Sequence, residues 1–79
     1  NGLLLTSETK TLLGKVYAGF TIRDAENGGT IYQCPDLYLV KDLASISWGP
    51  ETDSVLLTQK DGSSVTYVRT GDRWEKAVQ

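Results

Sequence analysis

A chain of 79 residues with 39% hydrophobic residues and a net charge of −2 is read as one β domain over residues 1–79, with a thin core; a chain of this length buries only about 60–65% of its unfolded surface. The acidic balance argues against a nucleic-acid binder, where a basic stripe supplies most of the affinity, and no run of about 18 apolar residues is present to span a membrane. Histidine is absent and Cys34 is the single cysteine, so an internal disulfide, a histidine metal ligand and a histidine general base are all excluded.

The chain starts Asn1-Gly2 and contains no Met. Asn1 is therefore not expected to be the translation start, and a removed leader or a longer parent chain would each account for it. Leu3 to Leu5 resemble an apolar edge strand. Ser7 could cap a short helix containing Leu12 and Leu13, but Thr6, Thr9 and Thr11 favour extended backbone. Two short strands around Ser7-Glu8 are expected here.

Lys15 to Arg23 alternates cleanly. Val16, Ala18, Phe20 and Ile22 share one face and Lys15, Tyr17, Thr21 and Arg23 the other, the pattern of a half-buried strand. Gly19 suggests a bulge or a close neighbour. Asp24 to Gly29 is a turn with Asn27-Gly28 as its positive-φ pair, and the return strand Thr30 to Cys34 sets Ile22 and Phe20 beside Tyr32 and Cys34. Pro35-Asp36 breaks the run because proline has no N–H for a ladder. Leu37 to Val40 is a short strand, Lys41-Asp42 a turn, and Leu43 to Trp48 a strand with Ala44, Ile46 and Trp48 on one face. Gly49 to Thr52 is a loop.

The last third carries the strongest signals. Asp61-Gly62 and Gly71-Asp72 each lie between β-branched and aromatic runs, and glycine reaches the positive φ of a tight hairpin without a Cβ clash. A two-residue loop at Asp61-Gly62 pairs Thr58 with Val65 and Leu56 with Tyr67. A two-residue loop at Gly71-Asp72 pairs Thr70 with Arg73, Arg69 with Trp74, Tyr67 with Lys76 and Val65 with Val78. These registers gather Leu56, Val65, Tyr67, Trp74 and Val78 on one face. The other face carries Val55, Leu57, Thr66, Val68 and Ala77, apolar enough to predict that the meander is covered on both sides at one end. The expected fold is all-β: a small antiparallel sandwich or flattened barrel of about six or seven short strands, ending in a three-stranded meander.

Catalytic groups are scarce. Asp24, Glu26, Asp36, Asp42, Glu51, Asp53, Asp61 and Asp72 lie in or beside turns, where aspartate ordinarily bonds its own backbone. Cys34 precedes Pro35 with Asp36 nearby, a setting that disfavours a thiolate and fits a small core thiol. Gly28-Gly29 lacks the Lys-Ser/Thr and the helix of a phosphate loop. Glu51 and Asp53 lack the regular oxygen spacing of a calcium loop. No enzyme activity, cofactor or metal is expected, and the compartment is not assigned. Tyr32-Gln33-Cys34 at the end of an early strand resembles the membrane-bound inhibitors of c-type lysozyme. The second cysteine and the Ser-Gly-x-x-Tyr loop of that family are missing, so the resemblance stops at these three residues and no family is assigned.

The aromatics point further. Phe20, Tyr67 and Trp74 belong to core faces. Tyr17 lies on the wetter face of its strand, Trp48 ends a strand before a Gly-Pro loop, and Arg69 faces Trp74 across a hairpin, where a guanidinium can stack on an indole or shield the sheet rim. Tyr, Trp and Arg in such places are typical contact anchors. The expected function is a non-enzymatic protein–protein interaction module, such as an inhibitor, adaptor or small accessory subunit, contacting its partner through Tyr17, Trp48, Gly49, Pro50, Glu51, Thr52 and Arg69. One alternative is a structural subunit that self-associates through the Leu3 to Leu5 edge, which lacks protective charges. A second is an OB-like or SH3-like nucleic-acid binder using Lys15, Arg23, Arg69 and Arg73 beside Tyr17. The partner is expected to be another protein or further copies of the chain.

Overall fold

In a computed structural model, which describes residues 2–50 and 53–77, the chain is all-β. Its strands are β1 (Leu3–Leu12), β2 (Lys15–Asp24), β3 (Thr30–Gln33), β4 (Tyr38–Leu39), β5 (Leu43–Trp48), β6 (Ser54–Gln59), β7 (Ser64–Thr70) and β8 (Arg73–Lys76), with a single 3-10 turn at Val40–Asp42. Two compact units divide the chain, Asn1–Lys41 and Asp42–Gln79. Each holds a four-stranded antiparallel sheet, and neither sheet closes into a barrel. Among the described residues no helix is long and apolar enough to cross a membrane.

In the first unit, β2 is the central strand. It pairs with β1 on one side and with β3 and β4 on the other. The expected pair of short strands around Ser7-Glu8 is replaced by one ten-residue strand, paired without interruption from Leu3↔Asp24 to Leu12↔Lys15. Cross-strand bonds keep its middle extended. Thr6 Oγ1 donates to the Thr21 carbonyl (3.2 Å), and Glu8 Oε1 accepts from Thr21 Oγ1 (3.3 Å) and lies 3.5 Å from the Arg23 guanidinium. The two-residue turn Leu13-Gly14 closes the hairpin, with φ of 50° and 78°. Positive φ at both positions is the type I′ pattern, which prefers Asn-Gly because a larger side chain strains there. Leucine at positive φ costs about 1–2 kcal/mol.

Ala18, Phe20 and Ile22 are buried on one face of β2, as the alternation predicts, and Phe20 lies 6.1 Å from Tyr32, ring centre to ring centre. Thr21 is buried as well, on the face expected to be wet; its hydroxyl and carbonyl are both bonded to β1. Ile22 pairs with Tyr32 and the Cys34 N–H donates to the Phe20 carbonyl at 3.0 Å, so the expected neighbours are found. A bulge at Ile31 shifts the register so that Arg23 faces Thr30. At the 24–29 turn, only Gly28 has positive φ (74°). Asn27 instead uses its side-chain oxygen to accept the Gly29 N–H at 2.7 Å, the local bond that makes this residue a turn former. The strand expected from Leu37 to Val40 is reduced to Tyr38 and Leu39, because the chain curls into the 3-10 turn at Val40.

The second unit is a meander in the order β5-β6-β7-β8. The β7–β8 hairpin has the expected register: Thr70↔Arg73, Arg69↔Trp74 and Tyr67↔Lys76. Gly71 alone of the two loop residues has positive φ (64°), as a type II′ turn requires. Val78, expected opposite Val65, lies outside the described residues. The β6–β7 register differs by one residue from the expected one. Thr58 pairs with Ser64, Leu57 with Val65 and Val55 with Tyr67. The cause is a three-residue loop, Lys60 to Gly62. The Gly62 N–H donates to the Gln59 carbonyl (3.0 Å), the Gln59 N–H donates to the Ser63 carbonyl (2.9 Å), and Gly62 has φ of 93°. This is the geometry of a turn followed by a left-handed glycine bulge.

That one residue moves Val55 and Leu57, rather than Leu56, onto the face of Val65, Tyr67 and Trp74. Val55, Leu57 and Tyr67 are fully buried there. Ser54 and Val55 are consecutive, hence on opposite faces, and both are buried, so β6 is covered on both sides at its start. In β5, a bulge at Ala44 leaves Ile46 opposite Leu57 and Trp48 opposite Val55.

Two outcomes follow from this register. Leu57→Ala is expected to cost about 2–5 kcal/mol in urea unfolding, as for other buried leucines, and Leu56→Ala about 1 kcal/mol or less; the reverse order would restore the two-residue loop. The Asp61 carboxylate accepts the Ser63 Oγ–H (2.6 Å) and the Ser63 N–H (2.8 Å). These bonds, the hydroxyl one foremost, hold its pKa below the usual carboxylate value. A pKa lower in the folded than in the unfolded chain adds stability that is complete above the unfolded value and is lost as pH falls through the folded one. Ser63→Ala should raise the Asp61 pKa part of the way, read by NMR of the carboxyl carbon. The stability gap between wild type and variant should narrow as pH drops through that range.

Candidate functional site

The residues expected to touch a partner fall into both units. Trp48, Gly49 and Arg69 come together at one end of the second sheet. β5 ends at Trp48, and the Gly49 N–H donates to the Ser54 carbonyl at 2.8 Å, which turns the chain into Pro50. A Cβ on Gly49 would meet the Ser54 hydroxyl, so a larger residue here requires the Ser54 side chain to turn aside. The chain re-enters at Asp53, whose φ is 56°; aspartate tolerates this region better than most residues. The Asp53 carbonyl accepts the Arg69 N–H at 3.1 Å, and its carboxylate holds the Arg69 guanidinium at 3.0 Å. Glu51 and Thr52 lie outside the described residues.

The register places Trp48, Val55, Tyr67, Arg69 and Trp74 on one sheet face. Tyr67 and Trp74 are buried on it, Tyr67 on the inner strand β7 and Trp74 on the edge strand β8, and Trp48 on the opposite edge strand is 39% exposed. Arg69 faces Trp74 as expected, with its guanidinium engaged by Asp53. That partner was not foreseeable from the spacing, because it depends on residue 53 adopting a left-handed conformation.

Tyr17 belongs to the first unit. It is half-buried, between Lys10 on β1 and Leu39 on β4. Around it lies a feature not anticipated from the sequence. Leu12, Leu13, Val16 and Val40 are all exposed, Leu13 completely so at 103%. A groove of about 360 Å³ runs beside them, lined by Gly14, Lys15, Val16, Leu39, Val40 and Lys41. The available signal was Leu13-Gly14 sitting exactly two residues wide between two extended runs.

Arg23 and Cys34 have structural partners. Arg23 bonds Thr30 Oγ1 (3.1 Å) and Glu8 (3.5 Å). Cys34 is buried, its thiol donating to the Asp36 carbonyl at 3.6 Å. Burial raises the Tyr32 pKa, with Cys34, Asp36 and Tyr38 adding to the effect, so this phenol stays protonated at neutral pH. Among the described residues no three His, Cys, Asp or Glu side chains cluster as a metal site would require.

In comparisons with known proteins, no family, no curated protein and no solved structure matches this chain.

The Arg69–Asp53 pair is partly exposed, at 45% and 18% of the side chains, so screening limits its value. Arg69→Ala is expected to lower stability by under about 1 kcal/mol, with the difference shrinking as salt is raised. A larger, salt-insensitive loss in denaturant titrations would mean that the arginine stem, not its charge, holds this end of the sheet.

Proposed function

We propose that the chain is a non-enzymatic protein–protein interaction module whose contact surface includes the Trp48 end of the second sheet. The observation that carries this reading is a partly exposed indole fixed at the mouth of a tight Gly-Pro loop, on the same sheet face as Arg69. Trp and Arg are the side chains that most often dominate binding energy at interfaces. The Gly49 N–H bond to Ser54 anchors the backbone beside Trp48 and the Asp53 carboxylate holds Arg69, which lowers the ordering cost on binding. Tyr17 would supply a separate contact from the first unit.

Self-association is the second reading. It is supported by β1, a ten-residue strand at the edge of its sheet with only Glu8 and Lys10 as charges. Long edges of this kind pair with other chains unless protected. Nucleic-acid binding is less favoured, since two of the four cations it would use, Arg23 and Arg69, already hold carboxylates.

The test is capture of a defined partner from the native source with wild-type, Trp48→Ala and Tyr17→Ala baits, alongside their thermal melts. The module reading expects Trp48→Ala to lose the partner while its melting temperature stays within a few degrees of wild type. Unfolding of each variant would return both residues to the core. A stable oligomer in light scattering at all concentrations, lost on deleting residues 1–6, would favour the structural subunit instead.

A further inference from the structure

We infer that the tip of the β1–β2 hairpin is a docking knob and groove for a partner-protein segment that presents an apolar side chain flanked by carboxylates. The inference rests on the reading of the chain as an interaction module, and it uses a surface other than the Trp48 end.

Leu13 breaks two local rules at once. It holds a positive φ of 50° in a two-residue turn, where asparagine or glycine is the favoured residue. It is also fully exposed, so no contact within its own turn repays the strain. Three other tight turns among the described residues put glycine at their positive-φ position: Gly28, Gly62 and Gly71. Asp53, the other non-glycine residue at positive φ among the described residues, is of a type that tolerates it and is bonded to Arg69. Leucine at 13 therefore works against folding. A residue kept against folding preference is a pointer to contact.

The surroundings supply the rest of a site. Exposed Leu12 and Val16 flank the knob, and the groove beside it has Val16, Leu39 and Val40 as its apolar lining. Both charged residues of that lining, Lys15 and Lys41, are cationic. The occupant that fits is apolar at its centre and acidic at its edges, because charges of opposite sign complement across an interface and like charges are rejected. A second copy meeting this surface through a two-fold axis would set the Lys15 and Lys41 charges of one copy against those of the other. A concave groove takes a projecting side chain, whereas a lipid surface would meet a flat patch.

A random twelve-residue peptide display library, panned against the whole chain, tests this. The selected peptides should share a Leu, Ile, Val or Phe within two residues of Asp or Glu. In calorimetry, the leading peptide should lose about tenfold or more in affinity for Leu13→Asn. That variant should also unfold at a higher temperature than wild type, since asparagine suits the turn. Lys15→Glu/Lys41→Glu should weaken the same peptide about tenfold and accept a version of it with Lys in place of its acidic residues. Trp48→Ala should leave this binding unchanged. Peptides without acidic bias, no enriched peptide, or unchanged binding to Leu13→Asn would each overturn the inference. Peptide binding lost in Trp48→Ala but not in Leu13→Asn would overturn it while leaving the module reading intact. Concentration-dependent mass, or binding to phosphatidylserine vesicles, abolished by Leu13→Asn would assign the knob to a second copy or to lipid and overturn it equally.

Discussion

Gly62 in the left-handed region is the constraint on which the second unit depends. Its positive φ lets the β6–β7 loop take three residues instead of two. That single residue decides which side of β6 faces inward. With it, Val55 and Leu57 join Tyr67 and Trp74 on one face, and Trp48, opposite Val55, is carried to the margin of the same face. Without it, Leu56 would replace them, and two fully buried side chains would turn outward. The exposure of Trp48 and the position of Arg69 over Asp53 are thus downstream of a backbone torsion some distance away in the chain.

The first unit answers the same problem differently. Its long hairpin is closed by a turn that a leucine disfavours, and it is held open by ten consecutive cross-strand pairs. The Thr6, Thr21, Glu8 and Arg23 bonds run along the hairpin face opposite Phe20 and Ile22, where they tie β1 to β2 through polar contacts. Strand pairing over this length tolerates one unfavourable turn residue, which leaves Leu13 free to be chosen for something other than folding.

Much of the fold was legible because certain signals allow one solution. Gly71-Asp72 admits one register, and the alternation from Val16 to Ile22 admits one inward face. The β6–β7 turn was ambiguous because Asp61-Gly62 serves two- and three-residue loops alike. Val55, Leu56 and Leu57 are all apolar, so alternation could not choose between them. β1 was misread because Leu13-Gly14 does not look like a turn and Ser7-Glu8 does. For the candidate site, the place of Trp48 before Gly49-Pro50 was equally compatible with capping the core and with a contact role. The Asp53 partner of Arg69 arises from a backbone conformation that leaves no compositional trace, and the groove beside Leu13 was marked only by the glycine that follows it.

Cys34 has a consequence of another kind. A buried thiol bonded to the Asp36 carbonyl is sheltered from oxidants and alkylating reagents while β2 and β3 stay paired. Opening of that pairing exposes it further. With a single sulfur in the chain, the speed at which a thiol reagent consumes it rises with breathing of the first unit. In air, two chains that open together can be trapped as a covalent pair, so a fluctuation too brief to see in a folding equilibrium would be written permanently into the mass of the sample.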